Sequence, residues 1–134
     1  MKHRRILYLS RLADERDYDA AVTLSREARL RSQELRICGA WLFDGHRMCT
    51  LVRGADAAID SWLDDVRANQ RLRVDAVLFD GTDEGSPADE RPADWQVGYC
   101  AAEDFDRFDG TGGVSGEQTL VVFEQLLANA DLRP

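Results

Sequence analysis

The chain has 134 residues, 44% of them hydrophobic and 31% charged, with 25 acidic against 17 basic side chains and a formal net charge of −8. A chain of this length suits one domain that buries roughly two-thirds of its unfolded surface without a metal or disulfide staple. The acidic balance repels phosphate backbones and argues against nucleic acid as a partner, and no apolar run approaches the roughly 20 residues of a membrane-spanning helix.

In chain order, residues 4–10 form an apolar run that reads as a first strand. Its Ile6-Leu7-Tyr8-Leu9 segment is too short for a signal-peptide core. A helix follows over 17–32, with Asp17 or Asp19 as its cap and a thin apolar stripe of Ala21, Leu24 and Ala28. Two apolar runs, 36–43 and 48–52, flank Asp44-Gly45 and predict a β-hairpin. That hairpin sets Gly39, Trp41, Met48 and Thr50 on one face. Ile59, Trp62, Leu63 and Val66 then mark one face of a helix over 55–70.

Residues 74–79 give another strand, 82–94 a surface loop holding two of the three prolines, and 95–100 an additional strand. The acidic, then Gly-rich stretch 101–113 reads as a solvated turn and linker. Ser115 to Gln118 reads as a capping box opening a helix with Leu120, Val121, Phe123, Leu126 and Leu127. So much apolar surface must cover a sheet, of this chain or of a partner. The order strand, helix, strand, strand, helix, strand is ferredoxin-like α+β, with an additional strand and a C-terminal helix on the open sheet face. Residues 1–100 are expected to carry this core, and 101–134 the linker and capping helix of the same domain.

Chemical motifs are weak. Gly110 to Gly116 precedes a helix but lacks the Gly-Lys-Ser/Thr ending of a phosphate loop. Glu103, Asp104, Asp106 and Asp109 do not follow calcium-loop spacing. His3 and His46 stand alone, so no catalytic or metal set is expected. Cys38, Cys49 and Cys100, odd in number and without a CxxC pair, read as reduced thiols of a cytoplasmic protein.

Ile6 to Ser10, Ile37-Cys-Gly-Ala-Trp-Leu-Phe43, Thr50-Leu-Val-Arg-Gly54 and Trp95-Gln-Val-Gly-Tyr99 together resemble the blue-light-sensing flavin domains called BLUF. The resemblance covers roughly residues 4–100, with ungapped spacing from Tyr8 through Arg71. It implies a flavin, FAD, between the two helices over one sheet face. It also implies a Tyr–Gln hydrogen-bond switch driven by light, and two Asn at the end of the first helix.

Carried across, Tyr8 matches the redox tyrosine, Arg31 and Ser32 stand for the two Asn, and Thr50 stands for the Gln. A threonine cannot supply an amide's donor and acceptor together. Asp65 replaces a basic residue expected near the flavin's phosphates, Asn69 and Leu72 replace an Asp and a His, and Val97 a Met. The resulting expectation is a degenerate BLUF-like regulatory module, not an enzyme, with no bound cofactor and no photocycle. It would work through protein contacts or self-association, and Trp41, Met48 and Trp62 would close the flavin slot into an ordinary core.

Two alternatives stay open. One is a working photoreceptor that holds FAD through Tyr8, Arg31, Ser32 and Thr50. The other is a small enzyme on the same scaffold.

Overall fold

A computed structural model describes residues 3–14, 16–17, 19–82, 95–109, 116–129 and 131–133. Its elements are β1 (His3–Leu12), α1 (Ala20–Leu35), β2 (Cys38–Phe43), β3 (Arg47–Ala55), α2 (Asp56–Ala68), β4 (Leu72–Thr82), β5 (Trp95–Tyr99), α3 (Ala102–Asp109), α4 (Gly116–Asn129) and β6 (Asp131–Arg133). One six-stranded sheet runs β4-β1-β3-β2-β5-β6. Its first four strands are antiparallel in ferredoxin-like order, β5 extends β2 in parallel, and β6 closes antiparallel on β5.

The period-two pattern of the strands divides the core into two layers. Ile6, Tyr8, Leu12, Trp41, Phe43, Met48, Val52, Trp95 and Val97 face α1 and α2. Leu7, Leu9, Ala40, Leu42, Cys49 and Leu51 face the opposite way, onto Phe105, Phe108, Leu120, Phe123 and Leu126 of α3 and α4. The C-terminal helix therefore covers its own chain's sheet. Strand β4 lies at an edge and carries two register shifts against β1, between Leu7 and Tyr8 and between Leu9 and Ser10. Bulges of this kind twist an edge and discourage edge-to-edge pairing.

The hairpin turns where its residues predict. The Asp44 carboxylate accepts from the backbone N–H of His46 and Arg47, and Gly45 takes a φ of 104°, which favours glycine. Helix α1 departs from expectation at both ends. It starts at Ala20, with Asp19 at the cap position but making no side-chain cap bond. It continues to Leu35 and ends at Arg36, a left-handed residue (φ 56°) whose turn lets Ile37 N–H bond Ser32 O at 2.9 Å.

Two elements lie where the sequence predicts none. The acidic stretch read as a solvated turn is helix α3, with Phe105 and Phe108 both buried. The two rings form an i, i+3 pair on one helix face, and Glu103 and Asp104 lie in the first turn, where acids favour the helix. The Asp104 carboxylate accepts from the Ala101 N–H, and Arg47 stacks over the Phe105 ring at 5.1 Å while bonding Ala102 O. The short strand β6 is the other addition. The expected capping Ser115, the Gly-rich stretch before it and most of the 82–94 loop lie outside the described residues, and Thr82 belongs to β4.

Gly39 governs how the aromatic layer packs. A Cβ there would sit 2.4 Å from the Leu51 carbonyl oxygen and 2.9 Å from the Trp95 ring. The backbone atom cannot yield cheaply, so Gly39→Ala is expected to destabilise the fold by about 1–3 kcal/mol in urea unfolding. A change below about 0.5 kcal/mol would show that the β2–β3 ladder and Trp95 pack more loosely than described.

Candidate functional site

Between α1 and α2, above the inner sheet face, lies a solvent-open cavity of about 370 Å³. Tyr8 and Ser10 of β1, Trp41 of β2 and Met48 and Thr50 of β3 form its floor, and Leu24, Ala28, Trp62 and Val66 its walls. Glu27, Arg31 and Glu34 of α1, with Asp65 of α2, supply the charged groups of its lining. Its volume falls in the range of small-molecule sites, about 300–1,000 Å³.

The expectation that Trp41, Met48 and Trp62 close this slot is corrected here: they line it. The reason lies in where the rings settle. Trp95 crosses the side-chain-free surface of Gly39 and draws its neighbours with it, with its ring centroid 5.1 Å from Trp62 and 6.2 Å from Trp41. The aromatic mass thus gathers over β5, and α1 offers Leu24, the small Ala28 and the largely exposed Leu30 to fill the remaining width.

The floor is held by hydrogen bonds. Trp62 Nε1–H donates to the Tyr8 hydroxyl at 2.9 Å in a fully buried pair. Thr50 stands directly opposite Tyr8 in the β1–β3 ladder, and its hydroxyl is a second hydrogen-bond neighbour of the same oxygen. Burial pushes the Tyr8 phenol up to about 12, against the opposing pull of Trp62 and Thr50. The phenol is therefore neutral at ordinary pH. The buried Trp41 Nε1 has no acceptor among the described residues.

The rim is acidic. Arg31 Nε bonds Asp65 Oδ2 at 2.6 Å, and its Nη1 bonds Glu34 Oε2 at 3.0 Å. The two carboxylates, Asp65 foremost, hold the Arg31 proton more firmly, and the Arg31–Asp65 pair ties α1 to α2 across the opening. Three carboxylates and one guanidinium line the cavity, and the guanidinium is already shared by two of the acids.

Of the four residues that the sequence marks as flavin contacts, Tyr8, Arg31 and Thr50 line the cavity. Ser32 does not. It is buried, and its hydroxyl donates to Arg29 O one turn back in its own helix. Asn69 and Leu72 also reach the lining, whereas Val97 packs in the core beside Trp95. Sequence reasoning misses the Trp62–Tyr8 bond. Its signal was an indole on the inner face of α2, a donor that needs an acceptor once buried.

A phosphate-bearing flavin fits this lining poorly. The aromatic floor suits a planar ring, but the charged groups of the lining are Asp65, Glu27 and Glu34, which repel a phosphate, and an Arg31 that is already engaged. Among the described residues, no group of three His, Cys, Asp or Glu side chains could hold a metal ion, and no helix is long and apolar enough to cross a membrane.

No family model and no curated protein matches the sequence. Solved structures do resemble the fold. BlrB, described as a BLUF protein in its dark state, aligns with a TM-score of 0.66 at 19% identity, covering 83% of this chain and 86% of its own. BlsA in its ground state aligns at 0.66 and 14% identity, covering 98% and 91%. Klebsiella pneumoniae BlrP1, in a calcium and cyclic-diGMP complex, aligns at 0.64 and 16% identity over 94% of this chain. The chain spans only 34% of that larger protein. These likenesses give the chain a BLUF-like fold.

Proposed function

We propose that the chain is a divergent BLUF-family module that regulates through protein contacts and does not run the family's Tyr–Gln photoswitch. One observation carries this reading. The Tyr8 hydroxyl, the group the switch would use, is bonded by Trp62 and faced by Thr50. No amide stands at that position, and a single hydroxyl lacks the separate donor and acceptor atoms that an amide interchanges when it flips. Signals would leave through the outer layer, where α3 and α4 cover the sheet and Val121 is left exposed. BlrP1 and a bacterial light-regulated adenylyl cyclase show BLUF-like folds built into longer chains, which supports a role as a module acting on protein partners rather than as an enzyme. Free thiols at Cys49 and Cys100 fit work in the cytoplasm.

A second reading is favoured by the open cavity: a flavin sensor with an altered pocket, its ring touching Tyr8, Arg31 and Thr50 but not the buried Ser32. Absorbance separates the two. The purified protein is expected to be colourless, and to show no red shift under blue light after addition of FAD or FMN. A yellow protein whose oxidised-flavin band moves red on illumination would overturn the first reading in favour of the second.

A further inference from the structure

We infer that the cavity between α1 and α2 takes a planar aromatic cation without phosphate, held by its rings on Tyr8, Trp41 and Trp62 and by its charge on the carboxylate rim. The inference rests on the reading that this site no longer serves a flavin photoswitch, and it names what the same site would select instead.

Shape comes first. The cavity presents a phenol and an indole on its sheet floor and a second indole on its α2 wall, so a flat ring system gains the most buried area there. Volume alone does not choose between a flavin and any other multi-ring ligand. Charge does. Among the described residues Arg31 is the one cation in the lining, and Asp65 and Glu34 already take its Nε and Nη1. Glu27 stands in the same lining one turn of α1 before Arg31, whose bonds go to Asp65 and Glu34 instead. The rim therefore carries a net excess of two negative charges over a low-dielectric aromatic floor, a setting that concentrates cations and repels phosphates. A cation lying on indole faces gains a further attraction from the ring quadrupole. Tyr8, kept protonated by burial, adds no charge to oppose or reinforce the rim at neutral pH.

The preference is testable with three probes of similar ring size and different charge. Proflavine is a planar three-ring cation, riboflavin is neutral, and FMN carries a phosphate. Each is titrated into the purified full chain while tryptophan fluorescence is followed. Proflavine is expected to bind at least about tenfold more tightly than FMN, with riboflavin between them. Proflavine affinity should fall with added salt. Glu27→Gln should weaken proflavine by about two- to fivefold, as expected for one partly solvated charge. Glu117→Gln, an exposed acid on α4 away from the cavity, should leave it unchanged.

FMN binding as tightly as proflavine would overturn the inference, as would proflavine binding that responds equally to Glu27→Gln and Glu117→Gln. Failure here is distinguishable from failure of the regulatory reading. If FMN wins without a red shift under blue light, this inference falls and that reading stands. A red shift removes both.

Discussion

Phe123→Ala is expected to lower the unfolding free energy by about 3–5 kcal/mol, the usual range for truncating a fully buried phenylalanine. Phe123 is 0% exposed and sits in the outer layer among Leu7, Leu42, Cys49, Leu51 and Phe105. Its removal deletes packing between α4 and the sheet and leaves a void that neighbouring leucines can fill only in part. A domain of this size has a total stability of about 5–15 kcal/mol, so the loss is a large share. The helix holding the cover would then detach more often and expose an apolar sheet face, which favours self-association. Urea unfolding checks the energy and light scattering checks the association. Val121→Ala is the control: on the same helix but 52% exposed, it should change stability by less than about 0.5 kcal/mol. Equal effects from the two substitutions would mean that α4 does not rest on this sheet through Phe123.

This outer layer also shows where sequence reading works and where it stops. The helix carrying Leu120, Phe123 and Leu126 was legible because its apolar residues recur at helical spacing and require burial. The hairpin was legible because Asp44-Gly45 specifies a turn and its period-two pattern then sorts every side chain by face, Trp41 opposite Thr50 included. Helix α3 was hidden because Phe105 and Phe108 are its only apolar anchors among acids, and the partner that completes them, Arg47, comes from the hairpin tip 55 residues upstream of Ala102. Strand β6 was hidden because three residues carry too little pattern to be read.

The cavity was legible in its lining but not in its shape. Trp41, Met48, Thr50 and Trp62 could be placed on its surfaces from register and helical phase. Whether they fill it depends on rotamers, and those follow from Trp95 lying across Gly39, a contact between strands far apart in sequence. The ion pair from Arg31 to Asp65 joins positions on two helices. The sequence marked Arg31 as a ligand contact and Asp65 as a charge mismatch. Only their approach shows that one neutralises the other, and so gives the rim its acidic excess.

Raising the pH from 8.5 to 11.5 is expected to cost the native protein about 2 kcal/mol of stability through Tyr8 alone. The tyrosine titrates at its ordinary value of 10.0 when unfolded but at about 12 in the fold, where burial disfavours the phenolate. Between those values the folded chain holds a proton that the unfolded chain has released, so rising pH favours unfolding. Below about pH 10 both states are protonated and the contribution is intact. Cys49 and Cys100 are also pushed up by burial and weaken the fold in the same direction, so the measurement must be a difference.

Tyr8→Phe supplies that difference. At pH 8.5 the variant should be less stable than the parent by about 1–3 kcal/mol, because the Trp62 indole N–H is left buried without its acceptor. At pH 11.5 the gap should shrink by about 2 kcal/mol, since phenylalanine has no proton to hold. Urea unfolding of both proteins at the two pH values reads it directly. An unchanged gap would mean that water entering the cavity solvates the Tyr8 phenolate in the folded state. The floor of the site would then be wet rather than dry, and the description of Tyr8 as a fully buried phenol would have to be abandoned.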